Sequence, residues 1–276
     1  MPLPLEDYLQ FLRETGVEFT VAPGLRRETD HRGPLLSPEP NPRCLHLSSG
    51  MDVIERFDSA RGLGANHASV SVAEALVRLQ PSVAGEGVVD MGCGTGVLGI
   101  VAALQGARVV GTDVDSAALE LARGNGVANG VVMDLRFGSL CDPLGDDSVD
   151  VFLANLPHKP SLGTDCLPLS QDGGPEGDRL FSAALPAMAR YQEPGGRLLF
   201  SLHSLPHPRL LRCVQRFYAL ELVRWKLRWL DPASYGRLRS GFRERHATGT
   251  SFLAMGKDRE AFITGVWVCR RRGRGE

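Results

Sequence analysis

Val88-Val89-Asp90-Met91-Gly92-Cys93-Gly94-Thr95-Gly96 is the stretch that decides the fold. Two β-branched residues lead in, glycines recur at every second position, and an apolar run from Val97 to Leu104 follows at helical length. Strand, tight turn and helix in that order are what a nucleotide-binding turn requires. Glycine lets the backbone turn sharply and lets a ligand approach it closely. Gly94-Thr95-Gly96-Val97-Leu98-Gly99 also fits the G-x-G-x-x-G of dinucleotide enzymes, so the turn alone leaves two readings open. Gly92 and Asp90 separate them. A carboxylate at the end of the first strand is expected to face the ligand, where it suits a cationic amino group and opposes a pyrophosphate. That argues against a nicotinamide-dependent oxidoreductase.

The rhythm continues downstream. Strands are predicted at Arg108 to Gly111, Val131 to Phe137, Val149 to Ala154, Arg197 to Leu202, Leu220 to Trp229 and Phe262 to Cys269. Helices are predicted at Ser116 to Arg123, Leu180 to Tyr191 and Leu210 to Phe217. Strands alternating with helices imply a parallel sheet covered on both faces. The predicted fold class is therefore α/β: a doubly wound, mostly parallel seven-stranded sheet with an antiparallel edge hairpin. Residues 230–259, polar and rich in Arg and Gly, read as an insertion in that hairpin.

Upstream the pattern is looser. Helices are expected at Glu6 to Glu14, Met51 to Arg61 and Val70 to Leu79, the last with Ser71 as N-cap. Phe19 to Val21 reads as a strand, and residues 23–50, rich in Pro, Gly and Arg, as an extended loop. The division that follows is a mainly helical N-terminal lid segment, 1–67, and a cofactor-binding domain, 68–276.

Composition bounds the function. The chain has 276 residues, 43% hydrophobic and 23% charged, with a formal net charge of −1. No global basic field argues for nucleic acid. Six cysteines fall in no C-x-x-C pair and show no metal-ligand spacing, so reduced thiols and no metal are expected. The chain opens without a basic start or an apolar run of signal length, and nothing approaches the ~18–20 apolar residues of a membrane span. A cytoplasmic protein with no membrane partner is the expectation. The oligomeric state is not legible.

The D-x-G-x-G-x-G spacing from Asp90 to Gly96 resembles motif I of the class I S-adenosylmethionine (SAM) methyltransferases. The cofactor expected from that resemblance is SAM, held by Asp90, Gly92, Cys93, Gly94 and Gly96. The second strand runs into Gly111-Thr112-Asp113-Val114-Asp115. An acid here can accept both ribose hydroxyls. Asp113 is the expected residue, Val114 its neighbour at the site, and Asp115 either the alternative or the cap of the next helix. After the third strand comes Gly138-Ser139-Leu140-Cys141-Asp142, where such enzymes usually place an acid for the adenine amino group. Ser139 holds that place, with Leu140 beside it and Asp142 a more distant alternative.

Ala154-Asn155-Leu156-Pro157-His158, at the end of the fourth strand, resembles the N-P-P-Y motif of amino-methylating enzymes, with Leu and His in place of Pro and Tyr. The resemblance makes Asn155 catalytic: its side chain orients an acceptor NH₂ in line with the methyl group. Positioning supplies most of the rate of such a transfer. His158 is the second expected catalytic residue, with a loop-ordering role as the alternative. An imidazole stacks on a flipped base less well than the tyrosine it replaces, which turns the expectation away from nucleic acid. Gln171-Asp172-Gly173-Gly174-Pro175-Glu176-Gly177 resembles the D-G-G-x-D-G stretch of the protein-glutamine N5-methyltransferases. Residues 68–204 are nearest that family. His203, after the fifth strand, is a further site candidate. Tyr235, Arg237, Arg243 and Arg245 of the insertion are candidates for binding a carboxylate or phosphate.

The expected activity is methyl transfer from SAM to a nitrogen, or less readily an oxygen, of a small molecule or peptide side chain. The alternative, on a resemblance to azetidine-carboxylate synthases, is an intramolecular cyclisation of SAM that releases methylthioadenosine. A SAM-sensing module without turnover is a third class.

Overall fold

The computed structural model describes residues 4–27, 41–146, 148–162, 167–230, 236, 238–256 and 260–273. The N-terminal part forms α1 (Pro4–Glu14), β1 (Thr20–Arg27), β2 (Arg43–His46), β3 (Asp52–Glu55) and α2 (His67–Leu76). The strand–helix alternation then gives β4 (Gly87–Met91), α3 (Val97–Leu104), β5 (Arg108–Asp113), α4 (Ser116–Ala128), β6 (Asp134–Phe137) and β7 (Val151–Ala154). It continues with α5 (Arg179–Tyr191), β8 (Arg197–His203), α6 (Arg209–Gln215) and β9 (Tyr218–Trp229). The chain closes with α7 (Arg239–Ala247), β10 (Ala254–Met255) and β11 (Glu260–Arg271).

The strand order β1-β9-β11-β8-β7-β4-β5-β6 reverses direction between β4 and β7, with helices on both faces. Ligands bind such sheets at the carboxyl ends of the strands beside that switch point. β11 runs antiparallel to both β8 and β9, which is the expected edge hairpin. One face of the sheet packs α1, α5 and α6 around Phe152, Phe181, Phe200 and Trp267. The other packs α2 and α3 around Val72, Leu76, Ile100 and Leu153.

The N-terminal segment departs from expectation. Met51 to Arg61 is not helical: β3 pairs with β2 in an antiparallel two-stranded ladder inside the region expected as loop and helix. The reason is a period of two. Arg43, Leu45, Val53 and Glu55 point inward while Cys44, His46, Asp52 and Ile54 point out. β1 lengthens the sheet beyond the seven expected strands, pairing in parallel with β9. α1 is amphipathic as expected, burying Leu5, Tyr8, Leu9 and Leu12 in the main core. Asn66, not Ser71, caps α2, accepting from Ser69 N at 3.0 Å. Such a cap is worth about 1 kcal/mol. Ser71 lies buried inside the helix.

The insertion is ordered where described. Phe242 of α7 packs with Leu205, Leu230, Leu238, Leu253 and Phe262 in a small separate core, against which Leu162 rests. Trp225 and Trp267 are buried, and Trp229 is half exposed. Among the described residues, no helix is long and apolar enough to cross a membrane.

Candidate cofactor and acceptor site

The turn after β4 is tied down from both sides. Cys93 N donates to Thr112 O on the neighbouring strand at 2.9 Å, and Gly96 N to Cys93 O at 2.8 Å. Gly92, Gly94 and Gly96 all take positive φ, at 66°, 54° and 82°, so three consecutive alternate positions exclude an L side chain. A Cβ on Gly92 would meet Leu156 at 3.0 Å, and one on Gly96 would meet Ala122 at 3.0 Å. A Cβ on Gly94 would meet nothing within 4 Å. The turn is thus packed at its two ends and open in its middle, at the strand-end crevice.

Asp113, at the end of β5, braces that open middle. Its Oδ2 accepts from Gly94 N at 2.8 Å and its Oδ1 from Asp115 N at 3.0 Å. Asp115 is the N-cap of α4, accepting from Ala117 N at 2.9 Å, so the cap reading holds for it. Val114 stands between them with a side chain 49% exposed, an apolar surface beside the turn. Ser139 is exposed after β6, and Leu140 next to it has φ 51°. Leu140 is the one non-glycine with positive φ among the described residues. Its carbonyl is held by Thr112 Oγ1 at 2.9 Å. A leucine kept in the left-handed region marks a strand end fixed by its surroundings, as binding sites often are.

Asp90 lies next to the end of β4. It is 2% exposed, and its Oδ2 accepts from Gly99 N in the first turn of α3 at 2.8 Å. Burial pushes its carboxyl up to about 7, against the opposing pull of the Gly99 bond, with the nearby Asp113 charge adding to the rise. Asp90 braces the helix start.

Two residues that the sequence reading missed, Glu55 and Asn125, lock the turn from outside. Glu55 of β3 is fully buried and accepts from Arg43 Nε at 2.7 Å, Ala65 N at 2.6 Å and Thr95 Oγ1 at 2.5 Å. Asn125 of α4, also fully buried, donates to Thr95 O at 2.9 Å and Arg56 O at 3.0 Å. The β2–β3 ladder is thereby bolted to the glycine turn. The available signal was a period-two alternation that buries Arg43 and Glu55 on one side.

Asn155 follows β7 at the switch point. Its Nδ2 donates to Ser69 Oγ at 2.9 Å and, longer, to Asn66 Oδ1 at 3.3 Å. The first turn of α2 therefore fixes the amide, and among the described residues nothing donates to Asn155 Oδ1.

His158 is buried, and both its ring nitrogens are engaged. Nδ1 donates to Leu156 O at 2.6 Å, and Nε2 accepts from His203 N at 3.2 Å. Burial drives its pKa down to about 4, only partly opposed by the Leu156 bond. The neutral ring ties the loop that follows Asn155 to the end of β8. His203 lies against it, ring centroids 4.2 Å apart. Its pKa is held well below the usual histidine range, by burial first and then by electrostatic coupling to His158, Arg228 and Lys159.

The Asp172–Gly177 stretch packs on this loop by backbone. Gly173 N donates to Lys159 O at 2.9 Å, Lys159 N to Gln171 O at 3.0 Å, and Ser161 N to Gly174 O at 2.9 Å. A Cβ on Gly173 would lie 2.6 Å from His158 Cα. The glycine is there for close approach. Glu176 in this stretch accepts from Arg245 at 2.8 Å, pinning α7 over the loop. Arg243 pairs with Glu260, as does Arg239. The carboxylates that Arg243 and Arg245 reach are the protein's own. Tyr235 and Arg237 lie outside the described residues.

The strand order, the glycine turn braced by Asp113 and the Asn at the end of β7 are similar to those of class I SAM-dependent methyltransferase domains. Residues 67–167 match the methyltransferase small domain family. Release factor glutamine methyltransferase of Geobacter sulfurreducens is 31% identical over 147 residues, 49% of this chain and 51% of that protein. Ribosomal protein L11 methyltransferase of Marinobacter nauticus is 37% identical over 123 residues, 43% of this chain and 34% of that protein. The chain thus spans about half the length of the first of these relatives and a third of the second. Among solved structures, the T. thermophilus 16S rRNA N2 G1207 methyltransferase superposes with TM-score 0.53 at 19% identity, covering 83% of this chain and 50% of that one. That likeness is one of fold.

Proposed function

We propose that this chain binds SAM on the Gly92–Gly96 turn and methylates a nitrogen of an acceptor presented to Asn155. The observation that carries the reading is the state of the Asn155 amide. Its NH₂ is anchored on Ser69 and its Oδ1 is free to accept from an incoming N–H. An acceptor amide or amine bound there has its nitrogen lone pair held in one direction, and positioning of this kind is the main lever for the reaction.

The residues present fit the cofactor. Gly94 leaves room beside the turn, Asp113 stands where ribose hydroxyls are taken, and Val114, Ser139 and Leu140 line the neighbouring strand ends. When bound, SAM supplies a methyl group on a positively charged sulfur, which leaves as a neutral thioether. Asp90, Glu55 and Asn125 keep the turn in shape. His158 and Gly173 fix the loop that carries Asn155. The acceptor class is a small molecule or peptide side chain. An RNA acceptor is kept as an arm of the test, since the rRNA enzyme shares the fold.

A second reading is intramolecular cyclisation of SAM. It is favoured by the small core of the insertion, which closes over the loop following Asn155 through Leu162, Phe242 and the Arg245–Glu176 pair. Incubation of the protein with SAM alone, followed by mass spectrometry, separates the two. Methylthioadenosine with a cyclic amino acid establishes cyclisation. Intact SAM leads to the same assay with glutamine peptides, amines and RNA oligomers, reading S-adenosylhomocysteine. Absence of SAM binding by calorimetry rejects both readings.

A further inference from the structure

The outer face of the β2–β3 ladder carries chemistry that the cofactor site does not use. Cys44 and His46 are alternate residues of β2, so they project from the same side. Asp52 of β3 stands directly opposite His46 in the register, on the same face. Cys44 Sγ lies 3.7 Å from His46 Nδ1, and Asp52 Oδ1 lies 2.7 Å from that same nitrogen. The three donor atoms all fall within 4.8 Å of one another, and all three residues are exposed.

We propose that Cys44, His46 and Asp52 form a binding site for a divalent zinc-class ion on the outside of this ladder. Thiolate, imidazole and carboxylate together are a zinc donor set. Bond lengths of about 2.3 Å to sulfur and about 2.0–2.2 Å to nitrogen and oxygen place tetrahedral neighbours roughly 3.3–3.6 Å apart. The Cys44–His46 separation is already within a few tenths of an ångström of this. The His46–Asp52 separation is a hydrogen bond, and the ion takes the place of the proton between them. His46 binds through Nδ1 as a neutral imidazole, its one proton moving to Nε2, and binding releases the thiol proton to solvent. Water fills the fourth position.

The frame is rigid enough to hold such a site. Asn129, the C-cap of α4, accepts from Ile54 N at 2.8 Å and donates to Ile54 O at 2.7 Å, fastening the strand that carries Asp52. The inner face is bolted by Glu55 to Arg43 and Thr95. The cysteines showed no metal spacing because two of the three donors are not cysteine and one comes from the partner strand.

The test is a Co²⁺ titration of the full chain, stripped of metal, followed by absorbance. One Co²⁺ per chain is expected, with a thiolate charge-transfer band and visible bands of tetrahedral strength, all displaced by Zn²⁺. Cys44→Ser removes the charge-transfer band. His46→Ala and Asp52→Asn each weaken binding on the order of tenfold or more. Cys213→Ser, a control at a half-buried cysteine elsewhere, leaves the band in place. Because the three ligands are exposed, their variants keep the wild-type melting temperature and SAM affinity. A wild-type chain without the band, or a band that survives Cys44→Ser, overturns the proposal. Neither result bears on methyl transfer, which is measured separately.

Discussion

Thr95 Oγ1, in the middle of the glycine turn, donates to the buried carboxylate of Glu55 at 2.5 Å, across forty residues of sequence. The turn does not hold itself. Its shape is shared between its own glycines and a strand from the N-terminal segment. Glu55→Ala leaves Arg43 buried without its partner, which costs about 3–5 kcal/mol. Thr95→Val removes one bond and leaves Glu55 its others, at about 1–3 kcal/mol. Thermal melting gives the order of the two losses, and calorimetry with SAM shows affinity falling in the same order. A melting temperature unchanged in Glu55→Ala rejects the bolt.

Asp113 and Asn155 separate by the quantity they affect. Asp113→Ala loses the brace on Gly94 N and the expected ribose acceptor, so SAM binding disappears in a calorimetric titration. Asn155→Ala keeps SAM binding within a few-fold and loses turnover on any acceptor that the wild type methylates. Tight SAM binding by the Asp113 variant sinks the assignment of the site.

Asp90 makes stability fall with rising pH. Its folded pKa, raised to about 7, stands above the ordinary carboxylate value, so the folded state holds a proton that the unfolded state has lost. Stability from this group is complete below about pH 4 and drains away as pH climbs toward 7. Asp90→Asn has no such proton. The melting temperature of the variant, relative to wild type, therefore rises between pH 4.5 and 7.5. A difference flat across that range contradicts the burial argument.

His158 works in the opposite direction. Its folded pKa of about 4 lies below the ordinary value near 6.5, so between these limits the unfolded state takes up the extra proton. Its contribution is complete above pH 6.5 and is lost as pH falls toward 4. In His158→Phe the acid slope of the melting temperature is shallower. The variant is also weaker at neutral pH, where Leu156 O and His203 N lose their partners.

Gly173→Ala brings a methyl group to 2.6 Å from His158 Cα, against backbone that cannot swing aside. Overpacking of this sort costs roughly 1–3 kcal/mol. The displaced loop carries Asn155, so turnover falls further than SAM affinity does. Melting and steady-state assays on the same preparation show the split.

The parts of this molecule legible in the sequence were those with local signatures. The strand–helix rhythm after residue 86 is set by apolar periodicity, and the Asp90–Gly96 turn by glycine spacing. Asp113 followed from its place at a strand end. What stayed hidden were long-range choices among polar residues. Ser71 looks like a cap, but Asn66 five residues earlier takes the position because α2 begins sooner and buries Ser71. β2 and β3 are four residues each, too short for a clear signal, and they are held by Thr95, Asn125 and Asn129 meeting them from elsewhere. His158 finds one of its two ring partners in a backbone N–H supplied by His203, 45 residues on.

The parallel edge strand sets a schedule for synthesis. Thr20 pairs with Glu221, so β1 leaves the ribosome some two hundred residues before its partner exists. During that interval an unsatisfied strand waits beside a growing chain, and closing so long a loop slows the final step. The sheet cannot be completed from one end. A nascent chain stalled before β9 keeps β1 open to proteases and to edge-to-edge pairing with other chains, whereas one released after β9 pairs the two strands.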